Sequence, residues 1–212
     1  MKNQPTSADD FVPPRHSLTA LRKAAQSCKG CDLFKNATQT VFGEGPLQAR
    51  VVLVGEQPGD MEDRQGHPFV GPAGRILDKA LREAQIRRED TYVTNAVKHF
   101  RWIQRGKRRM HQKPLIRQVI ACRPWLKAEI DAIHPEIIVC MGTTAAQSVV
   151  GRAVRIAQER GKFLHNEAGE TLCVTVHPSA IYRQRDQQEK EKAYQGFLAD
   201  LQLVRARLGE TR

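Results

Sequence analysis

Apolar residues in this chain fall into four short runs, separated by longer stretches in which they recur every three or four positions. The runs are Val51 to Gly55, Thr91 to Ala96, Glu136 to Gly142 and Thr171 to Val176. Each is apolar nearly throughout rather than alternating, which predicts strands covered on both faces. Helical patterns lie between them. Pro72 to Ile86 sets Ile76, Leu77, Ala80, Leu81 and Ala84 on one face, with Pro72 suited to a first helical turn after Gly71. Leu115 to Ile133 repeats the pattern with Val119, Ile120, Leu126 and Ile130, and Pro124 within it predicts a kink or a new helix start. Thr143 to Val150 reads as a shorter helix, and Gln187 to Leu208 as a long charged one with Ala193, Phe197, Leu201 and Val204 inward. Near the start, Leu18 to Cys28 predicts a short helix leading into Cys-Lys-Gly-Cys, preceded by a loose segment from Met1 to His16.

Strands alternating with helices imply a three-layer α/β/α sandwich around a central, mostly parallel four-stranded sheet. A single domain is expected from residue 17 to residue 212, after a flexible segment 1–16. Ligands of such sheets bind in the crevice at the carboxyl ends of the strands. Polar punctuation stands there in all four cases: Gly55-Glu56-Gln57-Pro58-Gly59-Asp60, then Asn95, then Gly142-Thr143-Thr144, then His177-Pro178-Ser179. One Asn or His after a strand is an ordinary turn residue, whereas four such groups on one rim describe a site.

Charge narrows the class of partner. Lysine and arginine outnumber acids by 34 to 23, a formal net charge of +11, which favours a polyanion such as DNA or RNA. The excess is concentrated: Lys98, Arg101, Arg105, Lys107, Arg108, Arg109, Lys113 and Arg117 stand between Lys98 and Arg117 with no acid among them. The longest apolar runs are too short to span a bilayer, and Met1 to Arg15 is polar without an apolar signal region, so a cytoplasmic monomer is expected. Five cysteines in such a chain point to metal ligation or buried thiols rather than disulfides. Cys28 and Cys31 form a C-x2-C pair, and Cys122 and Cys140 follow with 17 residues between them. Four thiolates suit zinc or iron equally.

The stretches GEQPGDMEDRQGHPFVGPAG (Gly55 to Gly74), TNAVKHF (Thr94 to Phe100), KRRMHQKP (Lys107 to Pro114) and VHPSAI (Val176 to Ile181) resemble the successive motifs of iron–sulfur uracil-DNA glycosylases. The KRRMH insertion resembles the type X branch of that superfamily, whose members bond covalently to DNA. The resemblance runs from about Cys28 to Tyr182. It implies a protein acting on uracil-containing DNA, single strands included, with a 4Fe-4S cluster on Cys28, Cys31, Cys122 and Cys140. The cluster would be structural, and Cys173 would be a core residue.

An enzyme that works on a base within DNA extrudes the nucleotide into a pocket and reads its hydrogen-bonding edge. By the resemblance Asn95 is the reader, since its amide donates and accepts at once, matching the adjacent N–H and C=O of uracil. Phe69 would stack on the flipped base. His177 would donate to the departing uracil, supported by backbone amides of the Gln57-Pro58-Gly59 loop, which continues into Asp60. Glu56 would stabilise the sugar cation, orient water or assist a nucleophilic histidine, and sequence leaves these three open. Glycosylases that turn over usually carry a small residue where this chain has Gln57. On spacing alone, His111 in a basic loop reads as a phosphate contact. In type X members the corresponding histidine attacks the sugar carbon vacated by uracil, which implies a long-lived adduct through His111 with Lys107 and Arg109 anchoring the loop to phosphate. The alternative is an ordinary glycosylase in which water attacks.

Overall fold

The computed structural model describes residues 7–14 and 17–210, with the backbone alone for residue 210. Its strands are β1 (Val51–Gly55), β2 (Thr91–Asn95), β3 (Trp102–Arg105), β4 (Arg108–His111), β5 (Ile137–Met141), β6 (Phe163–His165) and β7 (Thr171–Thr175). Its α-helices are α1 (Leu18–Ala25), α2 (Asp60–Gln65), α3 (Pro72–Glu83), α4 (Ile116–Ile133), α5 (Thr143–Val150), α6 (Ile156–Glu159), α7 (Pro178–Tyr182) and α8 (Gln187–Glu210). The main sheet runs β2-β1-β5-β7-β6. The four strands expected from the apolar runs are mutually parallel, and β6 adds a fifth, antiparallel to β7 at the edge.

Alternation along each strand divides the core into two faces. Val51 and Leu53 of β1, with Ile137, Val139 and Met141 of β5, pack against Leu77 and Leu81 of α3 and Phe197, Leu201 and Val204 of α8. Val52, Val54, Ile138 and Cys140 face Leu126 and Ile130 of α4 and Ala145 and Ala146 of α5. This is the expected three-layer sandwich. A third cluster, built by Leu21 and Ala25 of α1, Cys28, Leu33, Phe42, Cys122 and Trp125, attaches the N-terminal segment to α4.

Three expectations need correction or extension. Pro124 does not break α4, which runs unbroken through it. Three residues before the proline, the Ala121 carbonyl accepts the Ala8 N–H at 2.8 Å, so the helix also binds a partner from outside it one turn before Pro124. The loose start therefore covers at most part of residues 1–16: residues 1–6 and 15–16 lie outside the described residues, whereas Ala8 is buried. Ile120, assigned to the inner face of α4, is 53% exposed. Among the described residues, no helix is long and apolar enough to cross a membrane.

Candidate active site

The four strand ends meet at one cleft of about 490 Å³, lined among others by Glu56, Asn95, Gly142 and His177. Parallel pairing sets Gly55 directly beside Asn95. Asn95 is 3% exposed, and its side-chain oxygen is the sole buried side-chain polar atom without a partner among the described residues. Such an orphan is costly unless a ligand satisfies it. Phe69 closes one side, held at a φ of +58°, a conformation that bulky residues avoid. Two glycines admit it: a Cβ on Gly55 would overlap the Phe69 ring and the Asn95 oxygen, and one on Gly74 would overlap the Phe69 carbonyl. The Phe69 ring centre lies 5.9 Å from that of His177, tilted by 31°.

His177 caps α7, and its Nδ1 accepts the Ser179 N–H at 3.1 Å. Burial, with Arg183 and His111 nearby, pushes its pKa down to about 4. The ring is therefore neutral, and with Nδ1 accepting, its proton sits on Nε2 as a donor. Glu56 is held from the opposite side by Thr144, whose hydroxyl donates to Oε2 at 2.6 Å. Its other oxygen lies 3.6 Å from His111 Nε2. Burial pushes the His111 pKa down, against the pull of Glu56 and with some help from Arg183. The structure thus brings Glu56, Phe69, Asn95, His111 and His177 into one cleft.

His111 reaches the cleft on a hairpin where a loop was expected. β3 and β4 pair antiparallel, joined by a two-residue turn in which Gly106 has a φ of +58°, as tight hairpins require. Gln57 clamps the hairpin base. Its amide nitrogen donates to the carbonyls of Arg101 (3.2 Å) and Gln112 (3.0 Å), and its oxygen accepts the Arg101 N–H at 3.1 Å. Arg109 turns inward, 11% exposed, pairing with Asp60 and with the buried Asp63 at 2.6 Å, and donating to Thr38 at 3.0 Å. Its guanidinium lies 5.6 Å from the Phe100 ring centre and 5.4 Å from that of Trp102.

These contacts revise several sequence assignments. Arg109 is an internal strut of the hairpin rather than a phosphate anchor, and Asp60 is its partner. The Gln57 side chain holds backbone. Pro58 has no N–H, and the Gly59 N–H is spent on Glu62 at 3.1 Å, so neither supports His177. Lys107 and Arg108 remain exposed at the tip. Sequence reasoning passed over Glu62 and Arg183, and it placed Thr144 and Ser179 on the rim without giving either a role. Only Glu62 carried a local signal, a carboxylate three residues after the glycine that starts α2.

The cysteines divide differently from their spacing. Cys31 and Cys28 both act on Cys122, Cys28 acts on Cys31, and burial raises the Cys122 thiol to about 12. The Trp125 indole donates to Cys28 Sγ at 3.2 Å, and the Lys98 N–H donates to Cys122 Sγ at 3.3 Å. Cys140 is not in this group: it is fully buried on the sheet face covered by α4 and α5, and the titratable groups that act on it are Cys173 and Glu170. Cys173 is buried core, on the opposite face. His99, next to Lys98, is also buried. Its Nε2 meets the Thr40 hydroxyl at 3.0 Å, and that hydroxyl donates to the Ala25 carbonyl, which also accepts the Cys28 N–H. Thr40 must therefore accept from Nε2–H, which leaves the His99 Nδ1 lone pair bare. Among the described residues, no three His, Cys, Asp or Glu groups converge tightly enough to grip a single metal ion.

Comparison with known proteins decides the family. The profile of the "Uracil DNA glycosylase superfamily" matches residues 42–202. The chain belongs to the uracil DNA glycosylase superfamily. It is 40% identical over 169 residues to a type-4 uracil-DNA glycosylase of Thermotoga maritima, covering 79% of this chain and 84% of the relative. It is 35% identical to a type-4 enzyme of Archaeoglobus fulgidus (84% and 90% covered) and 30% identical to a type-5 enzyme of Pyrobaculum aerophilum (65% and 64%). None of these three names points to the type X branch. They favour the water-attack alternative over the covalent reading. The superfamily match spans every strand end and the hairpin, but leaves Cys28 and Cys31 outside it.

A glycosylase using neutral His177 should have a distinctive acid limb. With a pKa near 4, the single-turnover excision rate is expected to hold down to roughly pH 5 and to fall only as pH approaches 4. A fall centred near pH 6.5 would instead reveal an ordinary imidazole.

Proposed function

We propose that this protein excises uracil from DNA, and that the sugar left behind is captured by His111. The excision reading rests above all on the orphaned Asn95 oxygen, buried in a cleft that also holds the neutral His177 and the Phe69 ring. Uracil supplies what that oxygen lacks. Its N3–H donates to Asn95 Oδ1 while its O4 accepts from the amide nitrogen, and Phe69 stacks on the ring. As the C1′–N1 bond breaks, its electron pair leaves with uracil and charge gathers on O2, where a His177 Nε2–H donor stabilises it. Glu56, oriented by Thr144, balances the cation growing on the sugar.

Two readings part over what then bonds to C1′. In the first, the bare nitrogen of His111 attacks and Glu56, 3.6 Å from the ring, takes the proton from the other nitrogen. The product is an N-glycoside with a poor leaving group, hence long-lived. Its support is the His111–Glu56 contact and a hairpin fastened by Gln57 and Arg109. In the second, water attacks beside Glu56 and the protein turns over, a reading supported by the names of the type-4 relatives. A denaturing gel of protein incubated with uracil-containing single-stranded DNA separates them: a shifted band supports capture, and free abasic DNA supports turnover.

For the cofactor, the residues fit a 4Fe-4S cluster on Cys28, Cys31 and Cys122, with His99 Nδ1 rather than Cys140 as the fourth donor. A cube of iron and sulfide spreads its donors farther apart than a single ion does. When bound, it would tie the N-terminal segment to α4. Cys140→Ala is expected to keep about four irons per chain, and Cys122→Ala to lose them and much solubility. The reduced wild type should show nitrogen hyperfine coupling that His99→Cys abolishes. Zinc without iron in anaerobically prepared protein would overturn the assignment.

A further inference from the structure

An ion pair that takes no part in bond breaking lies beside Asn95. Lys98 is 1% exposed and Glu129 is fully buried. The Lys98 ammonium donates to the Asn95 carbonyl at 2.8 Å, to the Thr94 hydroxyl at 2.6 Å and to Glu129 Oε2, using all three of its protons. Glu129 in turn accepts from the Tyr92 hydroxyl (2.9 Å), the Gly43 N–H (3.1 Å) and the Thr94 hydroxyl (3.0 Å). Burying two charges is expensive, and apolar residues of similar volume usually fill such a space at no loss of stability. Stability alone is therefore a weak account of this pair.

The geometry gives a better one. The peptide joining Asn95 to Ala96 is gripped at both ends, its carbonyl by Lys98 and its N–H by the Gly55 carbonyl at 2.9 Å. The next amide, Val97 N–H, donates to the Glu56 carbonyl at 3.0 Å, so the same short segment also steadies the strand end that carries Glu56. Lys98 is the only one of these grips that comes from a charged side chain, and Glu129 on α4 fixes where that charge sits. We infer that Lys98, held by Glu129, is a positioning residue that fixes the Asn95 backbone so that its amide meets the uracil edge without reorganising. This rests on the reading of Asn95 as the base reader.

The test uses two single-stranded oligonucleotides, one carrying 2′-fluoro-2′-deoxyuridine, whose bond resists cleavage, and one carrying thymidine at the same place. The readout is the ratio of their dissociation constants on one preparation, which does not depend on the fraction of active protein. Lys98→Met combined with Glu129→Met removes both charges and should melt close to the wild type, yet its ratio should shrink by about tenfold, the cost of one lost charged hydrogen bond. Lys98→Arg keeps the charge, but its planar fork cannot reproduce the three bonds of an ammonium, so an intermediate ratio is expected. Should the double variant fail to fold, Lys98→Arg decides alone. A wild-type ratio in the folded double variant, or in Lys98→Arg if only that folds, would reduce the pair to a core filler and overturn the inference. Asn95→Ala serves as the control: if it keeps the wild-type ratio, the base-reading assignment itself has failed, a result distinguishable from failure of the Lys98 grip alone.

Discussion

Asn95→Ala is expected to slow uracil excision by about 10²- to 10³-fold while leaving affinity for uracil-free DNA unchanged. Two hydrogen bonds to the base edge disappear together, at about 1.5–2 kcal/mol each when their partners stay buried and unpaired. The variant should fold, because the Asn95 side-chain oxygen has no protein partner to lose. The backbone grips on residues 95 and 96 do not involve the side chain. Non-specific binding should survive because phosphate contacts carry it and the exposed Lys107 and Arg108 are untouched. Single-turnover release of uracil, measured beside salt-dependent binding to thymine-only DNA, checks both halves. Excision at the wild-type rate would mean that another side chain reads the base.

The fold was legible where burial is two-sided. β1, β2, β5 and β7 announce themselves as apolar runs because helices cover both of their faces, and their polar ends mark the rim. β6 was invisible: its three residues lie at the sheet edge, and two of them are exposed. The β3–β4 hairpin was hidden for a different reason. Its sequence, from Trp102 to His111, carries four lysine and arginine side chains, and the contacts that fasten the hairpin to the fold come from elsewhere in the chain, from Gln57, Asp60 and Asp63. Reading Arg109 as a phosphate contact followed from charge, whereas in the fold two carboxylates and two aromatic rings satisfy it first. Cys140 shows the same limit. Linear spacing cannot say which face of a strand a side chain takes, and alternation along β5 sends this one into the apolar layer beneath α4 and α5. Asn95, His177 and Glu56 were recoverable because strand ends in a parallel sheet converge whatever the loops do.

The sharpest outcome concerns His111. If it captures the sugar, wild-type protein mixed with uracil-DNA should go almost wholly to a complex that survives denaturation, with the mass of protein plus DNA minus uracil. A peptide containing His111 should carry the sugar. His111→Gly should then yield no adduct at all, yet still release uracil and leave abasic DNA. The reasoning is structural. Glu56 remains fixed by Thr144, Asn95 and His177 are unaltered, and the hairpin is fastened by Gln57 and Arg109 rather than by the partly exposed histidine. Removing the imidazole vacates space 3.6 Å from the carboxylate, where water can attack in its place. A histidine that merely touched phosphate would behave otherwise, weakening binding without changing the product. Wild-type protein that releases abasic DNA through many turnovers, or a His111→Gly variant that still crosslinks, would exclude capture by His111. The first of those results would establish instead the water-driven reaction that the type-4 relatives' names favour.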